Sequence, residues 1–243
     1  MTARPNALII GAGKAGSTSL HNYLSAHPEI AGSSPKELMY FTANYDNGVD
    51  WYQSHFPLRE GVKIYFESTP QYSFRDEFPQ VADRIKDYDP QMRIMYIVRE
   101  PISRIVSHFN HWSRAYPDRY NDIEKSLQSP AHRKYFVERT RYFYQLSVYL
   151  DRFGPDQVKV VFLEDLKSRF EPSLNEVFAF LGVAPLARKV DTKIWNKRAE
   201  PTWKASDIRA DLQDEIRTYL RDDVQRLFAH CGKDSDFWGE GYI

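Results

Sequence analysis

Lys14 stands inside a glycine-rich run, Gly11-Ala-Gly-Lys-Ala-Gly16, and the hydroxyl residues Ser17, Thr18 and Ser19 follow its last glycine. The combination suits anion binding. Glycines let the backbone turn sharply and approach a ligand closely. Hydroxyls of this kind cap helices and hydrogen-bond phosphate oxygens, and a helix N-terminus favours negative charge. A second cluster, Arg99-Glu-Pro-Ile-Ser-Arg-Ile-Val-Ser107, offers a guanidinium and a hydroxyl able to converge on one anion. A third is Lys36-Glu37, a charged pair ahead of the apolar-aromatic Leu38-Met-Tyr-Phe41, and so at the mouth of a buried segment. Further on, residues 188–204 carry six basic side chains, Lys197 and Arg198 among them, against Asp191 and Glu200.

The elements that must position these groups are legible from periodicity. Ala7 to Ile10 is an apolar, β-branched run that reads as a buried strand, and Leu20, Tyr23 and Leu24 recur at helical spacing after the glycines. His27-Pro28 ends that helix. Trp51, Tyr52, His55 and Phe56 mark a short amphipathic helix. Val62–Phe66, Arg93–Val98 and Val158–Leu163 read as further strands. Phe78–Tyr88, the run from Pro101, Tyr142–Phe153, Ser173–Leu181 and Ile208–Phe228 read as helices, with Pro101 suited to a first turn and Gly182 to a C-cap. Arg114–Arg139 is polar and reads as irregular structure with short helix. Strands alternating with helices predict a three-layer α/β fold with a mainly parallel central sheet flanked by helices. Ligands bind such sheets beyond the carboxyl ends of the strands, where Lys14, Glu67, Arg99 and Glu164 all fall.

Bulk composition narrows the classes. A chain of 243 residues can bury one substantial core, and the expectation is one domain over 1–243. Lys plus Arg and Asp plus Glu balance at 33 each, which argues against a general nucleic-acid-binding field. Cys231 is the only cysteine, so neither an intramolecular disulfide nor a cysteine zinc cluster is possible within the chain. No apolar run approaches the roughly 20 residues of a membrane span. With the first strand starting near residue 7, no signal peptide is expected, and the reading is a soluble, cytoplasmic protein.

Two familiar anion loops do not fit. A Walker loop places lysine after the final glycine, whereas Lys14 precedes Gly16. A dinucleotide fold needs an acidic residue about 20 residues on, at the end of a second strand, and none stands out. Lys14-Ala-Gly-Ser-Thr18 instead resembles the 5′-phosphosulfate loop of the sulfotransferases. Arg99-Glu-Pro-Ile-Ser-Arg-Ile-Val-Ser107 resembles their 3′-phosphate motif, Arg-[Asp/Glu]-Pro-x-x-Arg-x-x-Ser. Lys36-Glu-Leu-Met-Tyr-Phe41 with Trp51-Tyr52 is similar to a segment of the heparan-sulfate-type enzymes, the N-deacetylase/N-sulfotransferase and 3-O-sulfotransferase-like domains. Glu67-Ser-Thr-Pro70, Leu163-Glu-Asp-Leu166, Phe180-Leu-Gly182 and the Gly232–Trp238 ending are also similar, so the likeness leaves only about residues 112–140 without a counterpart.

The resemblance implies a P-loop-NTPase-like sulfotransferase fold and 3′-phosphoadenosine 5′-phosphosulfate as co-substrate, with no metal. It implies in-line transfer of a sulfuryl group to an acceptor hydroxyl. Lys14 would stabilise the leaving phosphate, while Ala15, Gly16, Ser17, Thr18 and Ser19 hold the 5′-phosphate. Arg99 and Ser107 would clasp the 3′-phosphate, and Lys197 and Arg198 would close over the nucleotide. Glu37 matches the carboxylate that serves as general base in the heparan-type enzymes; the plainer reading of Lys36-Glu37 is a surface ion pair. His108 and His111 are rival bases, and with no third ligand in view they make a poor metal site.

Two departures bear on the acceptor. Ser68 and Thr42 stand where heparan-type enzymes commonly carry a lysine and an acid that contact the polysaccharide. A small glycan, glycolipid or metabolite hydroxyl is therefore the expected acceptor. Tyr40, Phe41, Trp51, Tyr52, Tyr72 and Trp112 either line an acceptor cleft or, as aromatics more commonly do, fill the core. Two other classes compete. A P-loop-type small-molecule kinase would recruit Glu67 or Glu164 to Mg²⁺. A non-catalytic nucleotide- or sulfated-glycan-binding module would have no use for Glu37.

Overall fold

The computed structural model describes residues 3–186 and 202–243. In chain order the elements are β1 (Ala7–Gly11), α1 (Ser17–Ser25), β2 (Ile30–Gly32), α2 (Gly48–Ser54), β3 (Ile64–Ser68), α3 (Val81–Tyr88) and β4 (Arg93–Val98). Then follow α4 (Pro101–Ala115), α5 (Ile123–Gln128), α6 (Pro130–Phe136), α7 (Tyr142–Leu150), β5 (Val158–Phe162), α8 (Leu163–Ser168), α9 (Phe170–Leu181) and α10 (Ala210–Cys231). Among the described residues the chain forms two compact units, 3–98 with 146–186 and 99–145 with 202–243.

The first unit is built on one five-stranded sheet in the order β2-β3-β1-β4-β5, every pairing parallel. β1 lies in the middle, with Ala7 opposite both Phe66 of β3 and Arg93 of β4. All five of its residues are buried, as expected of a strand covered on both faces. On one face Ala7, Ile9, Phe66, Met95, Ile97 and Val161 pack under Leu20, Tyr23 and Leu24 of α1 and Leu174, Val177, Phe178 and Leu181 of α9. The other face is aromatic: Phe41 and Tyr52 pack with Tyr88 of α3, and Tyr149 of α7 donates to the Tyr72 carbonyl at 2.6 Å. Helices thus flank the sheet on both sides.

Strand order reverses at β1: β3 and β2 extend to one side, β4 and β5 to the other. This is the topological switch point of a doubly wound sheet, where a crevice opens beyond the carboxyl ends of the strands. The Gly11–Gly16 turn leaves β1 there. The sequence reading has no strand at Ile30–Gly32, after the helix that His27-Pro28 ends. Three residues at a sheet edge are too short to show a period.

The second unit is helical. Glu100 caps α4, accepting from the Ile102 and Ser103 amides at 3.0 and 2.7 Å, and Pro101 opens the helix. Tyr242 donates to the same carboxylate at 2.6 Å. The fully buried Arg104 donates to the Phe136 carbonyl and to Thr140 Oγ1 at 2.9 and 2.8 Å, bracing α4 against the end of α6. Asp223 of α10 accepts from the Phe143 and Tyr144 amides at the start of α7, and burial raises its pKa to about 6 against those bonds. Arg114–Arg139, read as irregular structure with short helix, supplies α5 and α6. Asp122 caps α5, accepting from the Lys125 amide at 3.0 Å.

Candidate active site

The β1–α1 turn places Lys14 at φ 69° and Gly16 at φ 111°. Gly16 is the N-cap of α1 and no side chain caps that helix. The sequence reading gave capping to Ser17–Ser19; instead Ser17 and Ser19 are buried inside the first turn, Ser19 bonding Tyr23, while Thr18 is exposed. The helix N-terminus is thereby left to its backbone amides, with glycine in a conformation that side chains resist. A Cβ at Gly16 would also meet Leu163 at 3.0 Å and Ile97 at 3.2 Å. These features fit a phosphate: a bare N-terminus, a close backbone approach and a lysine in the turn.

Lys14 and Glu37 are two of three non-glycine residues with positive φ among those described; Glu37 stands at 66° and Met39 at 52°. Such conformations cost on the order of 1–3 kcal/mol each and persist only where the surroundings hold them. Glu37 follows β2 by five residues, its side chain about half exposed and ion-paired with Lys36. Lys36 also faces His21, whose Nδ1 lies 2.8 Å from Ser68 Oγ. Burial first, and the Lys36 charge second, lower the His21 pKa to about 4. Ser68 is fully buried beside that imidazole, so the residue standing in the lysine position of the heparan-type pattern serves the interior.

The segment after β3 joins the two turns. Glu67 is fully buried and accepts from Thr69 Oγ1 at 2.5 Å and from Tyr72 Oη at 2.9 Å to both carboxylate oxygens. Thr69 Oγ1 in turn accepts from the Met39 amide at 3.3 Å, and Tyr72 Oη from the Phe41 amide at 3.2 Å. On its other side the segment supports the Lys14 turn. The Thr69 amide bonds the Ile9 carbonyl, Ser73 lies against Gly11, and Pro70 lies against Gly13. Burial raises the Glu67 pKa, and the hydroxyl donors work against that rise. The sequence reading placed Glu67 just past a strand end, in the Glu67-Ser-Thr-Pro70 stretch and as a possible metal ligand for a kinase; it lies within β3. Its hydroxyl partners, two and five residues on, were visible but carried no sign that they would turn back to it.

In the second unit, Arg99 directly follows β4 in the chain and is half-buried, its carbonyl accepting from Tyr142 Oη at 2.7 Å. Ser107 lies half-buried on α4. His108 is buried against Phe136, and its Nε2 accepts from the Trp112 indole at 2.7 Å. That is a packed role and leaves His111, exposed, as the other rival base. Lys197 and Arg198 lie outside the described residues. Tyr40, Phe41, Tyr52 and Tyr72 are buried, as core aromatics, whereas Trp51 and Trp112 are half-buried. Among the described residues no cluster of three or more His, Cys, Asp or Glu could hold a metal, and no helix is long and apolar enough to cross a membrane.

The chain is 30% identical over 191 residues to human heparan sulfate glucosamine 3-O-sulfotransferase 5, covering 74% of this chain and 54% of that protein. It is 28% identical over 200 residues to human bifunctional heparan sulfate N-deacetylase/N-sulfotransferase 3, covering 74% and 22% respectively. The chain thus spans between about a fifth and about half of these curated relatives. A sulfotransferase crystal structure from Alicyclobacillus acidocaldarius superposes with a TM-score of 0.79 at 28% identity, covering 96% of this chain and 97% of that one. The sulfotransferase domain model matches residues 4–231, nearly the whole length, and the chain belongs to that family.

Proposed function

We propose that this chain is a sulfotransferase that moves a sulfuryl group from 3′-phosphoadenosine 5′-phosphosulfate to an acceptor hydroxyl, both units acting as one domain over 1–243. The observation that carries the reading is the β1–α1 turn, with Lys14 and Gly16 at positive φ and an uncapped helix N-terminus at the switch point of the sheet. Membership of the family supports that donor. The α1 amides and the residues Ala15 to Ser19 hold the 5′-phosphate, and Lys14 neutralises charge as it develops on that leaving phosphate. Arg99 and Ser107 hold the 3′-phosphate; a guanidinium fork there does what an ammonium would not. Lys197 and Arg198 cover the nucleotide.

Glu37 takes the proton of the acceptor hydroxyl as the new S–O bond forms. Its exposure leaves it open to an acceptor, and Lys36 lies against it as an ion-pair partner. The acceptor is a small glycan, glycolipid or metabolite, read from Ser68 and Thr42 at the two departures. Ser68 is bonded inward to His21, and Thr42 is bonded to the Met39 carbonyl and Gln71. We place the reaction in the cytoplasm, an expectation drawn from the single cysteine.

The test is calorimetric titration with adenosine 3′,5′-bisphosphate in EDTA, wild type beside Lys14→Ala and Arg99→Ala. Metal-free binding that Arg99→Ala abolishes supports the donor site, and a screen of acceptors with labelled phosphosulfate follows. A folded wild type that binds nothing overturns the reading.

A further inference from the structure

We propose that Glu67 is a positioning residue for this same reaction: its buried carboxylate, acting through the Thr69 and Tyr72 hydroxyls, holds the turn that presents Glu37. The inference rests on the sulfotransferase reading above and adds to it a group that never meets substrate.

The reasoning starts from proton counting. Each hydroxyl carries one proton and can also accept. Each hydroxyl oxygen faces a backbone amide, Met39 for Thr69 and Phe41 for Tyr72, and an amide can only donate. The hydroxyl protons are then left to point at Glu67, which the Met39 amide also bonds directly. One carboxylate therefore accepts from two hydroxyls, and the hydroxyls pin two amides immediately after Glu37. The pinned stretch includes Met39, itself at positive φ, and follows Glu37, also at positive φ. Arg84 holds the far end through the Phe41 carbonyl at 3.0 Å, and Asn44 donates to the Leu38 carbonyl at 2.8 Å. A turn of this kind does not keep two left-handed side-chain-bearing residues by local preference.

The same segment carries the opposite wall. Pro70 and Ser73 lie against Gly13 and Gly11 of the Lys14 turn. Glu67 thus sits at the root of a piece of chain that bonds the stretch after the proposed base and lies against the proposed phosphate turn. A displacement of about 1 Å at either costs on the order of 10²-fold in rate.

The carboxylate is specifically required. Glu67→Gln keeps the shape but presents an NH₂ that donates. At least one hydroxyl must then accept from it and can no longer be directed solely at its amide. Expected for Glu67→Gln is a kcat lower by on the order of 10²-fold, with a much smaller loss of adenosine 3′,5′-bisphosphate affinity, and with hydrogen exchange at the Met39 and Phe41 amides about tenfold faster. Turnover is read as release of labelled sulfate from the phosphosulfate, with a 4-nitrophenyl glycoside or water as acceptor. Thr69→Val, which keeps the volume and loses the hydroxyl, lowers kcat in the same way, and Thr69→Ser restores what Thr69→Val loses. Should Glu67→Gln misfold, the Thr69 pair decides the matter. Wild-type exchange at Met39 and Phe41 in Glu67→Gln, or equal kcat in Thr69→Val and Thr69→Ser, overturns the proposal. A wild type that binds no adenosine 3′,5′-bisphosphate overturns the sulfotransferase reading instead, while the exchange measurement still reports on Glu67.

Discussion

At the scale of single residues the site depends on backbone that side chains ordinarily avoid. Gly16 is required twice over, by its φ of 111° and by Leu163 standing 3.0 Å from where a Cβ would be. Gly16→Ala is expected to cost about 1–3 kcal/mol in urea denaturation, from strain and overpacking together. Lys14→Ala adds no such strain, because alanine at φ 69° carries the same backbone cost as lysine. It is expected to lower kcat by on the order of 10²–10³-fold, the scale of losing one charge stabiliser, with a change in melting temperature too small to explain the loss. His21 gives a pH signature. Its folded pKa, near 4, lies below the ordinary 6.5, so the unfolded chain binds more protons between those values. Stability is therefore full above pH 6.5 and falls through pH 4, by on the order of 3 kcal/mol for this group. His21→Gln should flatten that part of the profile when unfolding is followed from pH 7 to 4.

At the scale of elements, caps do much of the positioning, and they are unevenly distributed. α1 begins on a bare glycine, whereas α4 begins on Glu100, whose carboxylate takes two amides and the Tyr242 hydroxyl. The contrast has a physical sense. A carboxylate at the start of α1 would compete with a phosphate for the same amides; at the start of α4 it fixes the helix that carries Ser107. Glu100→Ala is expected to cost about 1–2 kcal/mol, the upper range for loss of an N-cap, measured by urea denaturation. Adenosine 3′,5′-bisphosphate affinity should fall with it, because the α4 start is contiguous with Arg99.

At the scale of the whole molecule, a ligand that binds only the folded chain must stabilise it. Adenosine 3′,5′-bisphosphate at 100 times its Kd should add about 2.7 kcal/mol, seen as a rise in melting temperature that Arg99→Ala removes. Charge balance bears on the same experiment. With 33 basic and 33 acidic residues the chain carries no net field to draw in an anion. Binding should therefore lose affinity with salt only as far as the local cations, Lys14 and Arg99, require.

Much of this was written in the chain. Ala7–Ile10 read as a buried strand and Arg93–Val98 as a further, mostly apolar one because a strand covered on both faces must be largely apolar, and apart from Arg93 both are buried. Pro101, Gly182 and the apolar stripe of the last helix marked their elements through local geometry, which sequence encodes directly. Lys14 and Arg99 stood out because charge beside a strand end has few structural uses. What the sequence could not hold was decided by non-local partners. β2 exists because Ile30–Gly32 finds β3; alone it has no period. Ser17 and Ser19 fail to cap α1 because Gly16, under Leu163 and Ile97, takes that place. The positive φ of Lys14, Glu37 and Met39 is no preference of lysine, glutamate or methionine. In the Glu37 turn it is held by hydrogen bonds from a segment about thirty residues away, and that separation is why tertiary structure alone could give Glu67 its place.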